Sequence, residues 1–376
     1  MRNIPYINLP AQHSSLKPAI LKAVEKVLDH GNFILGEEVG QFEEKIAAYC
    51  GTKYAVGLNS GTDALILVLK AYGIGAGDEV ITTPNSFLAT ALAIQSVGAK
   101  TVFVDVNADL NMNPDLVAAK ITAKTKAVLP VHLTGKPTDM APILDLARSK
   151  NLKVIEDAAQ AIGAEYQGKK VGALGDAGCF SLHPLKTLNA CGDGGVVTTN
   201  DQKLVSRLKQ LRNIGLKNRD ESEMWGYNSR LDTLQAAILN LKMDMLEEWT
   251  LARRQNAQIY RKLFSAGKFP DFLELPQELS NGRHVYHTFV IQTDYRDGLQ
   301  SYLNDKGIGT KIHYPIPIHL QVCAKELGYK KGDFPVCERT CQRILSLPVY
   351  QGLKEEDLDY VVSTIAQYFN KGVYHG

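Results

Sequence analysis

Lys186 sits in Phe180-Ser181-Leu182-His183-Pro184-Leu185-Lys186-Thr187-Leu188, a nearly uncharged stretch that runs on to the turn Gly192-Asp193-Gly194-Gly195. A lysine withheld from water loses its proton more readily, and the neutral amine is the form that condenses with a carbonyl. Upstream, Asp157 closes the run Lys153-Val154-Ile155-Glu156-Asp157. A carboxylate there can pair with a protonated pyridine nitrogen, or it can simply cap a helix starting at Ala158. Gln160 follows one turn later, placed either to donate to a ring oxygen or to face solvent.

Further residues fit the same chemistry. In Asn59-Ser60-Gly61-Thr62-Asp63-Ala64-Leu65 a small polar turn opens an apolar helix, so the N–H groups of Gly61 and Thr62 point out of its first turn and suit a phosphate. Taken alone, an ordinary cap by Ser60 or Thr62 is the commoner role. Phe87, after Pro84-Asn85-Ser86, can stack on a flat ring or pack in a core. Ser181 ends a strand and offers a hydroxyl to a phosphate. A lysine for an aldehyde and an acid for a ring nitrogen are the two groups that pyridoxal phosphate demands of a protein. Gly73-Ile74-Gly75-Ala76-Gly77 is no dinucleotide fingerprint, because it follows a helix and precedes a strand, the reverse of what that motif needs. The nine histidines show no HExxH spacing and the six cysteines no CxxC pair, so no metal is expected.

These residues need a scaffold. Short β-rich runs at 79–83, 101–105, 127–132, 153–157, 178–181 and 195–199 alternate with helical stretches, including the apolar Ala64–Leu69. The rhythm predicts an α/β fold: a mainly parallel central sheet flanked by helices, with ligands at the carboxyl ends of the strands. One long helix, or two in series, is expected over 232–264, and beyond it a strand over 285–291 and a helix over 297–306. A large domain over residues 1–250 and a smaller C-terminal α+β domain over 251–376 follow from that pattern. The 376 residues carry a formal net charge of +2 with no basic cluster, which argues against a nucleic-acid partner. The start lacks a signal-peptide stretch and no apolar run can span a bilayer, so a cytoplasmic location without membrane contact is expected.

The order of these pieces strongly resembles the DegT/DnrJ/EryC1/StrS sugar aminotransferases, a family of fold type I pyridoxal-phosphate enzymes. The likeness is carried by Gly36-Glu37-Glu38-Val39, Ser60 to Leu65, Glu156 to Gln160, Phe180 to Lys186 with Gly192 to Gly195, and Gly226-Tyr227-Asn228-Ser229-Arg230-Leu231. His313-Tyr314-Pro315 and Leu345-Ser346-Leu347-Pro348 extend it to essentially the whole chain. The resemblance implies that Lys186 forms the Schiff base, Asp157 meets the pyridine nitrogen, Gln160 lies by the ring oxygen and Phe87 stacks. It gives the phosphate to Gly61, Thr62 and Ser181. It also implies that Asn228 reaches the phosphate from the neighbouring subunit of a homodimer with shared active sites. His313 and Tyr314 fall near the substrate, and Arg212, Arg219 and Arg230 are candidates for the donor carboxylate.

The activity so implied moves an amino group from L-glutamate to a keto-sugar, with pyridoxamine phosphate between the two halves. The sugar is a nucleotide-linked keto-hexose or a keto-sugar acid, for cell-surface polysaccharide, lipopolysaccharide or antibiotic biosynthesis. A free 8-oxo octulosonate is an alternative, because Leu182, Thr187 and Leu133-Thr134-Gly135-Lys136 depart from common family sequences. A pyridoxamine-dependent dehydratase is disfavoured by Lys186, which that branch replaces. A non-catalytic regulator on the same scaffold is disfavoured by the intact Lys186–Asp157 pair.

Overall fold

The computed structural model describes residues 2–370. Its principal sheet contains β1 (Tyr54–Leu58), β2 (Glu79–Thr82), β3 (Lys100–Phe103), β4 (Thr125–Val128), β5 (Lys153–Asp157), β6 (Ala177–Ser181) and β7 (Gly195–Thr199). The spatial order is β1-β7-β6-β5-β4-β2-β3, with β7 antiparallel to both neighbours and the other six strands running one way. The expected mainly parallel sheet is present, and helices cover it. Short strands buried on both faces need apolar side chains in both directions, which is why Val154-Ile155 and Val196-Val197 read as continuous apolar runs.

Helix α1 (Glu37–Cys50) precedes β1, α2 (Gly61–Ala71) joins β1 to β2, and α3 (Ala89–Ser96) joins β2 to β3. Helix α2 buries Leu65, Leu67, Val68 and Leu69 against the sheet. Each such side chain contributes about 1.5–3 kcal/mol. Ser60 caps it, its hydroxyl accepting from the Asp63 N–H at 3.0 Å. The Gly73–Gly77 stretch indeed lies between α2 and β2.

The expected helical stretch over 232–264 is two helices, α4 (Thr233–Met243) and α5 (Leu246–Ala266). Residue 250 lies inside α5, and that helix serves two cores. Leu246 packs with Leu231 and Leu239, whereas Ala257, Tyr260 and Phe264 pack with Phe289, Leu345 and Leu358. Ile4, near the amino terminus, joins the second group and bridges to Ile308. The contacts therefore divide the chain differently from a cut after residue 250.

In the second core β8 (Phe289–Gln292) pairs antiparallel with β9 (Ile344–Leu347), covered by α6 (Arg296–Asp305) and α7 (Glu355–Asn370). The strand expected over 285–291 begins only at Phe289. Tyr286 takes a left-handed φ of 48°, which breaks the pleat and turns Val285–Thr288 toward the large domain. Among the described residues no helix is long and apolar enough to cross a membrane.

Candidate active site

The carboxyl ends of β1, β2, β5 and β6 lie on one edge of the sheet, and the chain leaves each of them carrying a polar or aromatic residue. Between them is a cavity of about 400 Å³ whose walls include Gly61, Thr62, Phe87, Asp157, Gln160, Ser181, Lys186, His313 and Tyr314. Nine of the residues singled out by their types and spacing are thus brought together.

Asp157 ends β5 and is 6% exposed. No helix follows it. Instead its Oδ1 accepts from the Ala159 N–H at 3.2 Å, closing a turn, while Oδ2 accepts from the Thr90 hydroxyl at 2.7 Å. Burial pushes its carboxyl above the usual range, opposed by those two hydrogen bonds and by the charge of Lys186. The preceding residue faces the other way, as strand alternation requires. Glu156 is fully buried and accepts from the N–H groups of Gly172, Leu174 and Gly175 at 2.9, 3.0 and 2.8 Å. His132 stands 3.1 Å from it. Because His132 Nδ1 accepts from the Thr138 N–H, its Nε2 carries the hydrogen and donates to Glu156.

Lys186 is held by its own loop. Its N–H donates to His183 O at 2.8 Å, and its carbonyl accepts from Asn189 Nδ2 at 2.9 Å. His183 Nδ1 accepts from the Leu185 N–H at 3.2 Å, so the Leu182–Asn189 turn is fixed from within. Burial of the amine lowers its pKa to about 8, although the carboxylate of Asp157 pulls it upward. A neutral nucleophilic amine is therefore accessible near physiological pH.

At the opposite wall, the first turn of α2 leaves the N–H groups of Gly61 and Thr62 without intrahelical partners. A Cβ on Gly61 would lie 2.7 Å from the Ser181 Cβ and 2.9 Å from its Cα, so only glycine lets β6 approach this turn. Ser181 thereby stands beside the free N–H groups and completes an anion cradle. Phe87 is 58% exposed, which is unusual for an aromatic with no structural need to face out. Its ring lies 5.6 Å from that of Tyr314. Gln160 Nε2 donates to the Tyr314 hydroxyl at 3.3 Å, and its Oε1 accepts from the Thr134 N–H at 2.7 Å. Burial and the nearby Asp157 push the Tyr314 phenol up, so it stays protonated.

The arrangement fits pyridoxal phosphate. The cradle would suit the phosphate, Asp157 lies deep enough to meet a ring nitrogen, Phe87 presents an exposed ring face, and Lys186 lines the same cavity.

Arg212, Arg219, Arg230 and Asn228 do not line this cavity. For Arg212 the expectation is corrected: its guanidinium pairs with Glu43 and donates to Gly57 O at 2.8 Å, leaving the side chain 7% exposed and committed to the fold. Arg230 donates to Asn228 Oδ1 at 2.6 Å and to Asn213 Oδ1 at 3.2 Å, outside the cavity. Arg219 lies exposed on the 216–222 turn. Sequence reasoning missed Ser86, Thr90 and His287, which do line the cavity. The spacing of Thr90 from Phe87 on the first turn of α3 was the available signal for that one; His287 had none.

The profile of the DegT/DnrJ/EryC1/StrS aminotransferase family matches residues 14–366. A Geobacillus stearothermophilus protein named pleiotropic regulatory protein is 44% identical over 98% of this chain and 99% of its own. The dTDP-3-amino-3,6-dideoxy-alpha-D-galactopyranose transaminase of Aneurinibacillus thermoaerophilus is 44% identical over 97% of this chain and 99% of its own. Among solved structures, S. venezuelae DesV in complex with a ketimine intermediate superposes with a TM-score of 0.95 at 38% identity, covering 98% of this chain and 99% of that one.

Proposed function

From the premise that the chain belongs to the DegT/DnrJ/EryC1/StrS aminotransferase family, we propose that it carries an amino group from L-glutamate to the C3 carbonyl of a nucleotide-linked keto-hexose. The enzyme is an aminotransferase and its cofactor is pyridoxal phosphate. The choice of C3 is supported by likeness to relatives whose names specify a 3-amino or 3-oxo sugar. The observation that carries the reading is the meeting of Lys186 and Asp157 in one cavity with an anion cradle opposite.

When bound, pyridoxal phosphate supplies a conjugated ring that accepts the electron pair released at the donor's α-carbon. Asp157, held by Thr90 and the Ala159 N–H, would set a carboxylate against the ring nitrogen and so favour its protonated form. The Lys186 amine, with its pKa lowered to about 8, would take the proton from the donor's α-carbon as general base and give it back on the cofactor side of the nitrogen as general acid. Gly61, Thr62 and Ser181 would hold the phosphate, Phe87 would cover one ring face, and Gln160 would donate toward the ring oxygen. His313 and Tyr314 line the wall on the side of the second core and face the substrate. His313 has its pKa lowered to about 4 by burial and the charges of Lys186 and Lys311, so it meets the substrate neutral. The second half-reaction uses the same groups in reverse on the sugar carbonyl.

A second copy of the chain belongs in the reading. Asn228 is exposed and outside the cavity of its own subunit, and Trp225 close by is 95% exposed. Both features are those of a surface that a homodimer covers, with Asn228 reaching the partner's phosphate site. Regulation in place of catalysis, suggested by the name of the Geobacillus relative, would give no reason for a lysine and an acid of this geometry.

The direct test is spectroscopic. L-Glutamate should bleach the yellow holoenzyme and release 2-oxoglutarate, and a nucleotide-linked 3-keto-hexose should restore the colour. Recovery with a 4-keto-hexose or with 8-oxo octulosonate instead would reassign the sugar; failure of every amino donor to bleach the protein would remove the activity.

A further inference from the structure

Four arginines of the described residues are buried. Three have a carboxylate: Arg212 pairs with Glu43, Arg296 with Asp297, and Arg343 with Glu274 and Asp294. The fourth, Arg253 on α5, is 3% exposed and makes no ion pair among the described residues. Its Nη1 donates only to the carbonyls of Tyr286 and His287, at 3.4 and 3.2 Å, and its Nε has no hydrogen-bond partner. A buried cation without a counter-ion is costly unless something supplies the negative charge.

Arg253 lines a second, small cavity of about 40 Å³ together with Tyr6, Leu185, His287, His313 and Tyr350. Leu185, His287 and His313 are also walls of the cavity that holds Lys186, so the two spaces adjoin through shared side chains. The space exceeds the roughly 10–15 Å³ that one water needs and suits a group of carboxylate size. His287 contributes a second buried polar atom without a partner, Nδ1, on the same wall. Burial and the charges of Lys186 and Arg253 push its pKa well down, so its imidazole is neutral and free to donate one hydrogen bond. Burial pushes the Tyr6 phenol up instead, so it remains protonated.

We infer that Arg253 receives a carboxylate of the amino-acid donor in this side compartment, with His287 beside it. The inference rests on the aminotransferase reading above and gives Arg253 the role for which Arg212, Arg219 and Arg230 were the candidates from the sequence. A guanidinium matches a carboxylate in a two-point geometry that backbone carbonyls cannot satisfy, and an empty Nε is half of that geometry. The donor is thereby held by its carboxylate at the border of the second core while its amino group faces Lys186.

The test uses the holoenzyme and follows bleaching by L-glutamate in single turnovers. In Arg253→Gln the glutamate concentration for half-maximal rate should rise about 100-fold or more, with a smaller rise in Arg253→Lys. The cofactor spectrum, borohydride trapping and the concentration dependence for the amino-sugar product should stay as in the wild type. L-Alanine as a second donor separates the two carboxylates: equal losses for both donors assign the α-carboxylate, and a loss confined to glutamate assigns the side-chain one. Crystals of the wild-type holoenzyme soaked in 2-oxoglutarate give a readout that needs no variant and no turnover, with a carboxylate oxygen expected at hydrogen-bond distance from Arg253. An unchanged glutamate dependence in Arg253→Gln, or a carboxylate seated on a different arginine, would overturn the inference. A wild-type protein that glutamate does not bleach would instead count against the activity itself.

Discussion

The Thr90 hydroxyl donates to Asp157 Oδ2 at 2.7 Å, and the Ser86 hydroxyl stands 2.7 Å behind it. Thr90 has one hydrogen and spends it on the carboxylate, so Ser86 must donate to Thr90, and a two-step relay of hydroxyls stabilises the ionised acid. Thr90→Val removes the near donor while keeping the volume. Loss of a hydrogen bond to a charged group predicts a fall in kcat of about 10- to 100-fold. The acid limb of the pH–rate profile should move to higher pH, because the carboxyl loses an influence that holds its pKa down. Thr90→Ser should keep most of the activity; an unmoved acid limb in Thr90→Val would separate this hydroxyl from the chemistry.

Lys186 ties cofactor capture to pH. With its pKa lowered to about 8, the neutral amine becomes the major form above that value. The rate at which the cofactor-free protein takes up pyridoxal phosphate should rise with pH and level off above about 8, rather than climbing on toward the ordinary lysine value. The stability sign is opposite to that of an ion-paired lysine. Between about 8 and the ordinary value near 10.5 the unfolded chain binds more protons than the folded one, so the cofactor-free protein gains stability as pH rises through that window. Lys186→Met should abolish both the pH dependence of that gain and borohydride-trappable cofactor.

Gly61→Ala tests the cradle. The added Cβ meets the Ser181 Cβ at 2.7 Å and its backbone Cα at 2.9 Å, so β6 or the α2 turn must shift. The expected result is a folded protein whose affinity for pyridoxal phosphate and for free phosphate falls at least about tenfold, the cost of weakening one charge-assisted hydrogen bond. Equilibrium dialysis of the cofactor measures it. Affinity equal to that of the wild type would mean that the phosphate binds elsewhere.

Arg212→Met tests the reassignment of that arginine to the fold. Glu43 loses its buried partner and keeps only the half-exposed Lys209 at 4.0 Å, while still accepting from the Gly57 N–H at 2.8 Å. Breaking a buried pair from one side costs about 3–5 kcal/mol. The denaturation midpoint should fall accordingly, whereas glutamate bleaching in the protein that remains folded should keep its concentration dependence.

The parts of the site legible in the sequence are those set by local rules. Asp157 and Ser181 end strands, Gly61 and Thr62 open a helix, and Lys186 lies in a turn; each follows from period and turn chemistry over a few residues. The remainder depends on residues far apart in the chain. Thr90, on α3, meets Asp157 at the end of β5, and Arg253 reaches the small side cavity where Tyr286 leaves the pleat and Val285–Thr288 folds over α5. No local pattern encodes the contact of Arg253, and for Thr90 the only local signal is its spacing from Phe87. The same cause shortened the strand expected over 285–291 to Phe289–Gln292. Arg212 misled for a related reason: an arginine in a polar stretch reads alike whether its partner is a ligand or Glu43.

The two neighbouring acids of β5 carry a constraint of their own. Glu156 fastens the Gly172–Gly175 turn on one side of the sheet, and one peptide further Asp157 enters the cavity on the other. A shift of the strand by a single position would exchange their sides. The longer Glu156 would then intrude where a ring nitrogen belongs, and the shorter Asp157 would fall short of the turn. Insertion or deletion of one residue within Lys153–Asp157 is therefore forbidden twice, once by chemistry and once by folding. The spacing between Val154 and Asp157 is as much a part of the enzyme as the acid itself.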